Sequence, residues 1–338
     1  MHLYSIIIFS VVLLIYLHVI YHLKKNNTNE VYYLENISKE KVEELCDLRQ
    51  PAVFNYENQA IRDTILVSMR EKKHDNASVN IRNSITMENS VPLSLEKTRD
   101  LFEKDDKSTY YSENNADLIS SGGINHIIDS NDYYLKPCMV ISKTYDIMFG
   151  SNNAYSPMRY DINYRNFYYC LKGSVKIKLS PPKSSEYLSE TKNYNTFEFS
   201  SPINPWNVQD EYMFDMKNVD TLDITLREGQ VLYIPAFWWY SIEFQKEAVI
   251  SSLKYRTYMN TLAVLPRFIL RFFQMQNVSH KLFPTTELGA DSVSDRVSDS
   301  VSEKNEGPIV KDVDKPCKQN KRQEDSPIHL NGENESNK

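Results

Sequence analysis

The chain of 338 residues carries only four cysteines, Cys46, Cys138, Cys170 and Cys317, and no Cys-x-x-Cys pair. Their scatter excludes a disulfide framework and a thiolate zinc site and leaves them as buried or free thiols. A basic excess is missing too: 39 Lys and Arg stand against 45 Asp and Glu, a formal charge of -6. That balance argues against a nucleic-acid partner, which calls for basic charge concentrated on one face. Residues 3–23 contain no acid, Lys or Arg at all. The run also lacks the basic start, short apolar core and small-residue exit of a cleaved signal peptide, and as a helix it is long enough to cross roughly 30 Å of hydrocarbon. The expectation is a single uncleaved transmembrane anchor, with Lys24 and Lys25 favouring a cytoplasmic body. His18 and His22 read as interfacial side chains near its end rather than ligands.

What is present is a chain with a hydrophobic fraction of 41%, enough for a sizeable core. After a polar linker over 24–30, a folded domain is expected over 31–284. Its opening reads as a short strand over 31–34, a helix begun by Ser38, a strand over 52–54 and helices over 60–70 and 95–103. The segments between and after them read as polar loops, with His74 and His126 as solitary surface residues. From about 137 to 255 short β-rich runs separated by Pro, Gly and Asn suggest a barrel or sandwich. Val175, Ile177 and Leu179 alternate with Lys176 and Lys178, as on a half-buried strand with a solvated lysine face. The stretch 229–241, G-Q-V-L-Y-I-P-A-F-W-W-Y-S, reads as a buried strand stopped by Pro235 that hands Tyr240 to a pocket, or more plainly as a core strand ending in packed aromatics. Residues 258–283 read as a closing helical segment that packs on the β-domain or forms a homodimer, since Arg267 and Arg271 rule out a second span. The tail over 285–338, which repeats D-S-V-S, D-R-V-S, D-S-V-S at 291–302, reads as disordered, acidic and Ser-rich.

Three blocks stand in order: F-G-S-N-N-A-Y-S-P-M-R-Y-D ending at Asp161, N-F-Y-Y-C-L-K-G-S-V-K-I-K-L-S-P-P from Asn166, and the stretch ending at Tyr240. Together they resemble the JmjC and related cupin-like family, and in texture the cupin-like proteins of large DNA viruses. The resemblance implies a mainly β fold with flanking helices, a JmjC-like double-stranded β-helix or cupin barrel, here behind the N-terminal helix. It implies in many members an iron(II) and 2-oxoglutarate dioxygenase that hydroxylates or demethylates protein side chains. Such chemistry needs two His and one carboxylate on iron, with open positions for cosubstrate and oxygen. In this chain the corresponding positions hold Arg159, Asp161 and Tyr240, and the position of a cosubstrate-binding lysine holds Val175. No histidine lies between His126 and His280. A guanidinium, always protonated, cannot ligate a metal.

These departures predict a degenerate site, with Tyr160, Val175, Trp206, Trp238 and Trp239 around the pocket or its rim. Since Arg159 and Asp161 are two apart, a strand would point both inward; Arg159 is expected to pair with Asp161, and Tyr240 to donate to the same carboxylate. The leading expectation is a membrane-anchored pseudoenzyme with no metal or cofactor that binds a protein or peptide partner. An Fe(II) and 2-oxoglutarate enzyme with atypical ligands, and a structural component of a virion or host endomembrane, stand as the other readings.

Overall fold

A computed structural model describes residues 2–280 of the chain, apart from 36, 87–89 and 122. The Ser-rich tail over 285–338 and Cys317 lie outside the described residues. Helix α1 (His2–Leu23) is followed by β1 (Tyr32–Leu34), α2 (Lys39–Leu48), β2 (Ala52–Asn55), α3 (Gln59–Arg70), β3 (Ser78–Asn83), β4 (Val91–Ser94), α4 (Leu95–Lys104), β5 (Tyr110–Ser112), α5 (Ala116–Ser121) and α6 (Ile124–Asn131). Next come β6 (Val140–Gly150), β7 (Arg159–Tyr160), β8 (Arg165–Lys172), β9 (Ser174–Ser180), β10 (Thr191–Asn193), β11 (Glu198–Ser200) and α7 (Met213–Met216). The chain closes with β12 (Leu222–Arg227), β13 (Gln230–Pro235), β14 (Trp239–Phe244), β15 (Val249–Thr257), α8 (Tyr258–Ala263) and α9 (Leu265–His280).

The strands form two sheets: nine in the order β1-β2-β13-β8-β15-β6-β5-β3-β4, and six in the order β10-β11-β7-β14-β9-β12. Among the described residues, β1 and β2 form the one parallel pair. The inner faces meet in one apolar cluster, with Tyr168, Cys170, Leu232 and Ile250 from the larger sheet against Val175, Ile177, Tyr240 and Ile242 from the smaller. The outer face of the larger sheet is covered in turn, because Phe167, Tyr169 and Leu171 of β8 pack with Val42, Ile61 and Ile65 of α2 and α3. A strand buried on both sides shows no polar alternation, hence the near-continuous apolar run of β8. A third cluster, including Tyr160, Phe199, Phe237 and Trp239, backs the smaller sheet and receives Phe268 of α9.

The expected helices and half-buried strand appear where periodicity placed them. Ser38, for example, caps α2 by accepting from the Lys41 N–H at 3.3 Å. On β9, Lys176 pairs with Glu243 at 3.0 Å and Lys178 with Asp223 at 2.9 Å, on the outward face. The region read as polar loops instead supplies β3, β4, β5, α5 and α6, so five strands of the larger sheet precede the block over 137–255. His126 lies exposed on α6, whereas His74 is buried in a short 3-10 turn rather than at the surface.

The stretch 229–241 is two strands in different sheets. β13 ends at Pro235, the chain turns through Ala236-Phe237-Trp238, and Tyr240 is the second residue of β14, opposite Arg159 of β7 and Leu179 of β9. Phe237 makes the corner at φ 69°, uncommon for a side-chain-bearing residue, and its N–H donates to the Asp161 carbonyl at 2.8 Å. The corner thereby fixes the backbone of Asp161 and the start of β14 together.

Within α1, Leu3–Leu23 is long and apolar enough to cross a membrane, and its most apolar 18-residue window is unburied, whereas His22 in the last turn is buried. Its last turn is tied to the domain. The Tyr21 hydroxyl donates to Asp47 at 2.9 Å, and Arg49 donates to the carbonyls of Tyr21 and His22 at 3.3 and 3.4 Å. The His22 ring meets Tyr164 edge-on at 5.1 Å. The following residues are pinned as well: Asn26 donates to the Leu48 carbonyl at 2.9 Å, and Asn27 accepts from the Lys183 N–H at 3.0 Å.

Candidate functional site

Between the two sheets lies a polar cavity of about 320 Å³ into which Arg159, Asp161 and Tyr240 all reach. β7 and the residue after it supply the first two, and β14 supplies the third. The inward faces of β6 and β15 add Asp146, Ser252 and Lys254, because alternate residues of a strand share a face.

Asp161 accepts three hydrogen bonds on one side of its carboxylate. The Tyr240 hydroxyl donates at 2.9 Å, the Tyr168 hydroxyl at 3.1 Å and the Lys254 ammonium at 2.8 Å. Burial disfavours its ionised form, yet Lys254, the nearby charge of Arg159 and the Tyr240 hydroxyl outweigh that and hold its carboxyl below the usual range. Lys254 responds in the opposite sense: burial works against its charge, and Asp161 raises its pKa. The ammonium is thus charged and committed.

The expected pairing of Arg159 with Asp161 is not made. Arg159 turns to Glu113, just after β5, and forms a two-pronged pair with both carboxylate oxygens, one contact at 2.8 Å. Arg82 of β3 donates to Glu113 at 2.7 Å and bridges onward to Glu198 at 2.7 and 3.2 Å. The physical reason is competition for acceptors. Glu113 is 2% exposed and needs compensating charge, while Asp161 already has its own ammonium. Burial pushes Glu113 upward, but the guanidiniums of Arg159 and Arg82 prevail and hold it at about 2. A fourth carboxylate, Asp146, accepts from the backbone N–H groups of Asn114 and Asn115 at 2.7 Å each. Lacking a cation of its own, it is pushed up by burial to about 6.

The remaining positions read from sequence divide sharply. Tyr160 lines the cavity and its hydroxyl donates to Glu190. Val175, Trp238 and Trp239 are fully buried in apolar clusters away from the cavity wall. The Trp239 indole N–H donates to Ser185 at 2.8 Å, and that of Trp206 donates to Ser241 at 2.8 Å. No tryptophan lines the cavity, and the aromatic side chains at it are Tyr160, Phe197, Phe199 and Tyr240. Glu113, Arg82, Lys254, Asp146 and Tyr168 were missed. Lys254 alone left a local trace, a cation inside the otherwise uncharged run I-S-S-L-K-Y.

An iron site does not fit this donor set. Among the described residues no group of three or more His, Cys, Asp or Glu side chains is placed to hold a metal ion. The carboxylate that would serve as ligand is occupied by an ammonium and two phenols. Lys254 and Arg159 also place two fixed positive charges where a divalent cation would have to enter.

A family model for the cupin-like domain matches residues 21–261. Among curated proteins, the chain is similar to the JmjC domain-containing protein D of Dictyostelium discoideum, 30% identical over 94 residues. That match covers 28% of this chain and 21% of the relative, so the chain spans about a fifth of that protein.

Proposed function

This chain belongs to the cupin-like domain family, and on that premise we propose that it is a membrane-anchored, non-catalytic member of the fold that serves as a binding or scaffold module. The observation that carries the reading is the Lys254–Asp161 pair at 2.8 Å, closed by the Tyr240 hydroxyl. Iron chemistry of the JmjC type needs that carboxylate free and two neutral imidazoles beside it; here the neighbouring groups are an ammonium, a guanidinium and phenols. Pairing also satisfies Asp161 and Glu113 internally, and backbone N–H groups hold Asp146. A small anion entering the cavity would have to displace Asp161 from Lys254 or Glu113 from Arg159. We therefore assign recognition to a protein or peptide partner contacting the barrel mouth beside Tyr160, Phe197 and Phe199, with the cavity acting as a rigid polar floor.

Leu3–Leu23 supplies the anchor in this reading, and Lys24 and Lys25 put the body on the cytoplasmic side. The test is iron content and turnover of the full-length protein purified in detergent. It is incubated with iron(II), 2-oxoglutarate and oxygen, and succinate is followed with and without a lysine- and asparagine-rich peptide pool. The expected result is substoichiometric iron and no succinate above a protein-free control. Stoichiometric iron with succinate release would overturn the reading in favour of an oxygenase with atypical ligands.

A further inference from the structure

Helix α9 is amphipathic in the reverse sense for a surface helix. Its two arginines face the protein: Arg267 stacks over Tyr160, Phe199 and Phe237 at 5.6, 4.9 and 5.2 Å, and Arg271 over Phe197 at 5.0 Å. Phe268 enters the cluster behind the smaller sheet, and Gln274 accepts from the Tyr194 N–H at 3.1 Å. Residues 267, 268, 271 and 274 therefore mark the protein-facing side, as helical spacing requires. The opposite side carries Leu265, Ile269, Phe272 and Phe273, and Leu262 of α8 continues it; these five are 38 to 61% exposed. No Asp or Glu occurs between residues 258 and 280.

The position of this face points to what covers it. α8 packs against α1. Lys25, two residues beyond α1, lies 5.1 Å over the ring of Phe237, the same ring that Arg267 covers from the first turn of α9. The exit of α1 and the start of α9 are thus neighbours, and the last turn of α1 is hydrogen-bonded to the domain through Arg49 and Asp47. With α1 across a bilayer, this surface stands at the membrane boundary, where an apolar face without acids is matched to lipid.

We infer that the outer face of α8 and α9, centred on Ile269 and Phe272, lies in the headgroup–acyl boundary of the same bilayer that α1 crosses. The inference rests on the anchoring reading above, and its test separates the two. Full-length Phe272→Trp protein is reconstituted in vesicles of phosphatidylcholine and phosphatidylserine with brominated or ordinary acyl chains, and unsubstituted protein supplies the background emission of the native tryptophans. The expected result is that the added emission is largely quenched in brominated vesicles, while that of Val91→Trp, on the edge strand β4, is unchanged. Protein that survives an alkaline carbonate wash with the added emission unquenched overturns this inference and leaves the anchor standing; release by the wash overturns both. A disulfide forming between Phe272→Cys chains in intact vesicles, together with no quenching, assigns the face to a second copy and likewise overturns it.

Discussion

The barrel cavity and the outer face of α8 and α9 distribute polarity in opposite ways from an ordinary interior and an ordinary surface. In the cavity, Arg82, Arg159 and Lys254 are withdrawn from water and matched to Glu113, Glu198 and Asp161. On α9 the arginines also point inward, toward aromatic faces, and apolar side chains take the outside. The contrast shows two ways of keeping a cation inside a protein. One uses carboxylates, costs heavy desolvation and fails badly when a partner is lost; the other uses ring faces and is worth less per contact.

The largest break is expected from Glu113→Ala. It leaves two guanidiniums facing each other in a nearly closed space, and a loss of about 3–5 kcal/mol is expected for an uncompensated buried charge. Urea unfolding in detergent measures it, and a loss below about 1 kcal/mol would show that water reaches the pair. Acid sharpens the same comparison. Because Glu113 is held at about 2 against 4.5 when unfolded, its contribution is complete above 4.5 and is lost as pH falls from there toward 2. Asp146 runs the other way: with its carboxyl raised from 3.8 to about 6, it costs stability as pH climbs through that window. The urea midpoint should therefore rise steeply from pH 2 to 4 and flatten or dip toward pH 6, and a midpoint independent of pH below 4.5 would contradict the Glu113 pairing.

Smaller effects belong to α9. Arg267→Ala removes a stack on three rings and a hydrogen bond to the Tyr160 hydroxyl, for an expected loss of about 1–2 kcal/mol by thermal unfolding. Ile269→Ser, on the outer face, should change stability in detergent by no more than about 0.5 kcal/mol. A loss of several kcal/mol there would mean that the face packs against protein after all.

The sequence was legible where one periodicity ruled a segment. Alternation on β9 and helical spacing on α2 and α3 located elements within a residue or two. The helical segment read over 258–283 is α8 followed by α9, and residues 281–283 lie outside the described residues. It failed over 78–94 and 110–131, on either side of the expected α4, where three- to six-residue strands and short helices owe their structure to a ladder that runs from β6 through β5 to β3 and β4 and to packing under the larger sheet. Within the cavity, the bond from Tyr240 to Asp161 follows from strand parity, because β7 and β14 pair directly. The partner of Arg159 does not. Glu113 comes from a segment 46 residues earlier, and no spacing rule links a loop acid to a distant strand. The tryptophans misled for a related reason: a corner between two strands places one in the core on each side, and sequence does not tell a corner from a pocket mouth.

The pinned exit of α1 bears on how a partner would be found. Arg49 caps the last carbonyls of the helix and Asn26 and Asn27 tie down the residues after it, so no slack tether separates anchor and barrel. On a slack tether the mouth would sweep a volume, and partners at many heights could be reached at low local concentration. Where α1 spans a bilayer, as proposed above, a rigid mount gives the mouth one height and one heading above the lipid. In that reading encounter becomes a search in two dimensions, and a partner qualifies by the altitude of its recognition segment as much as by its chemistry.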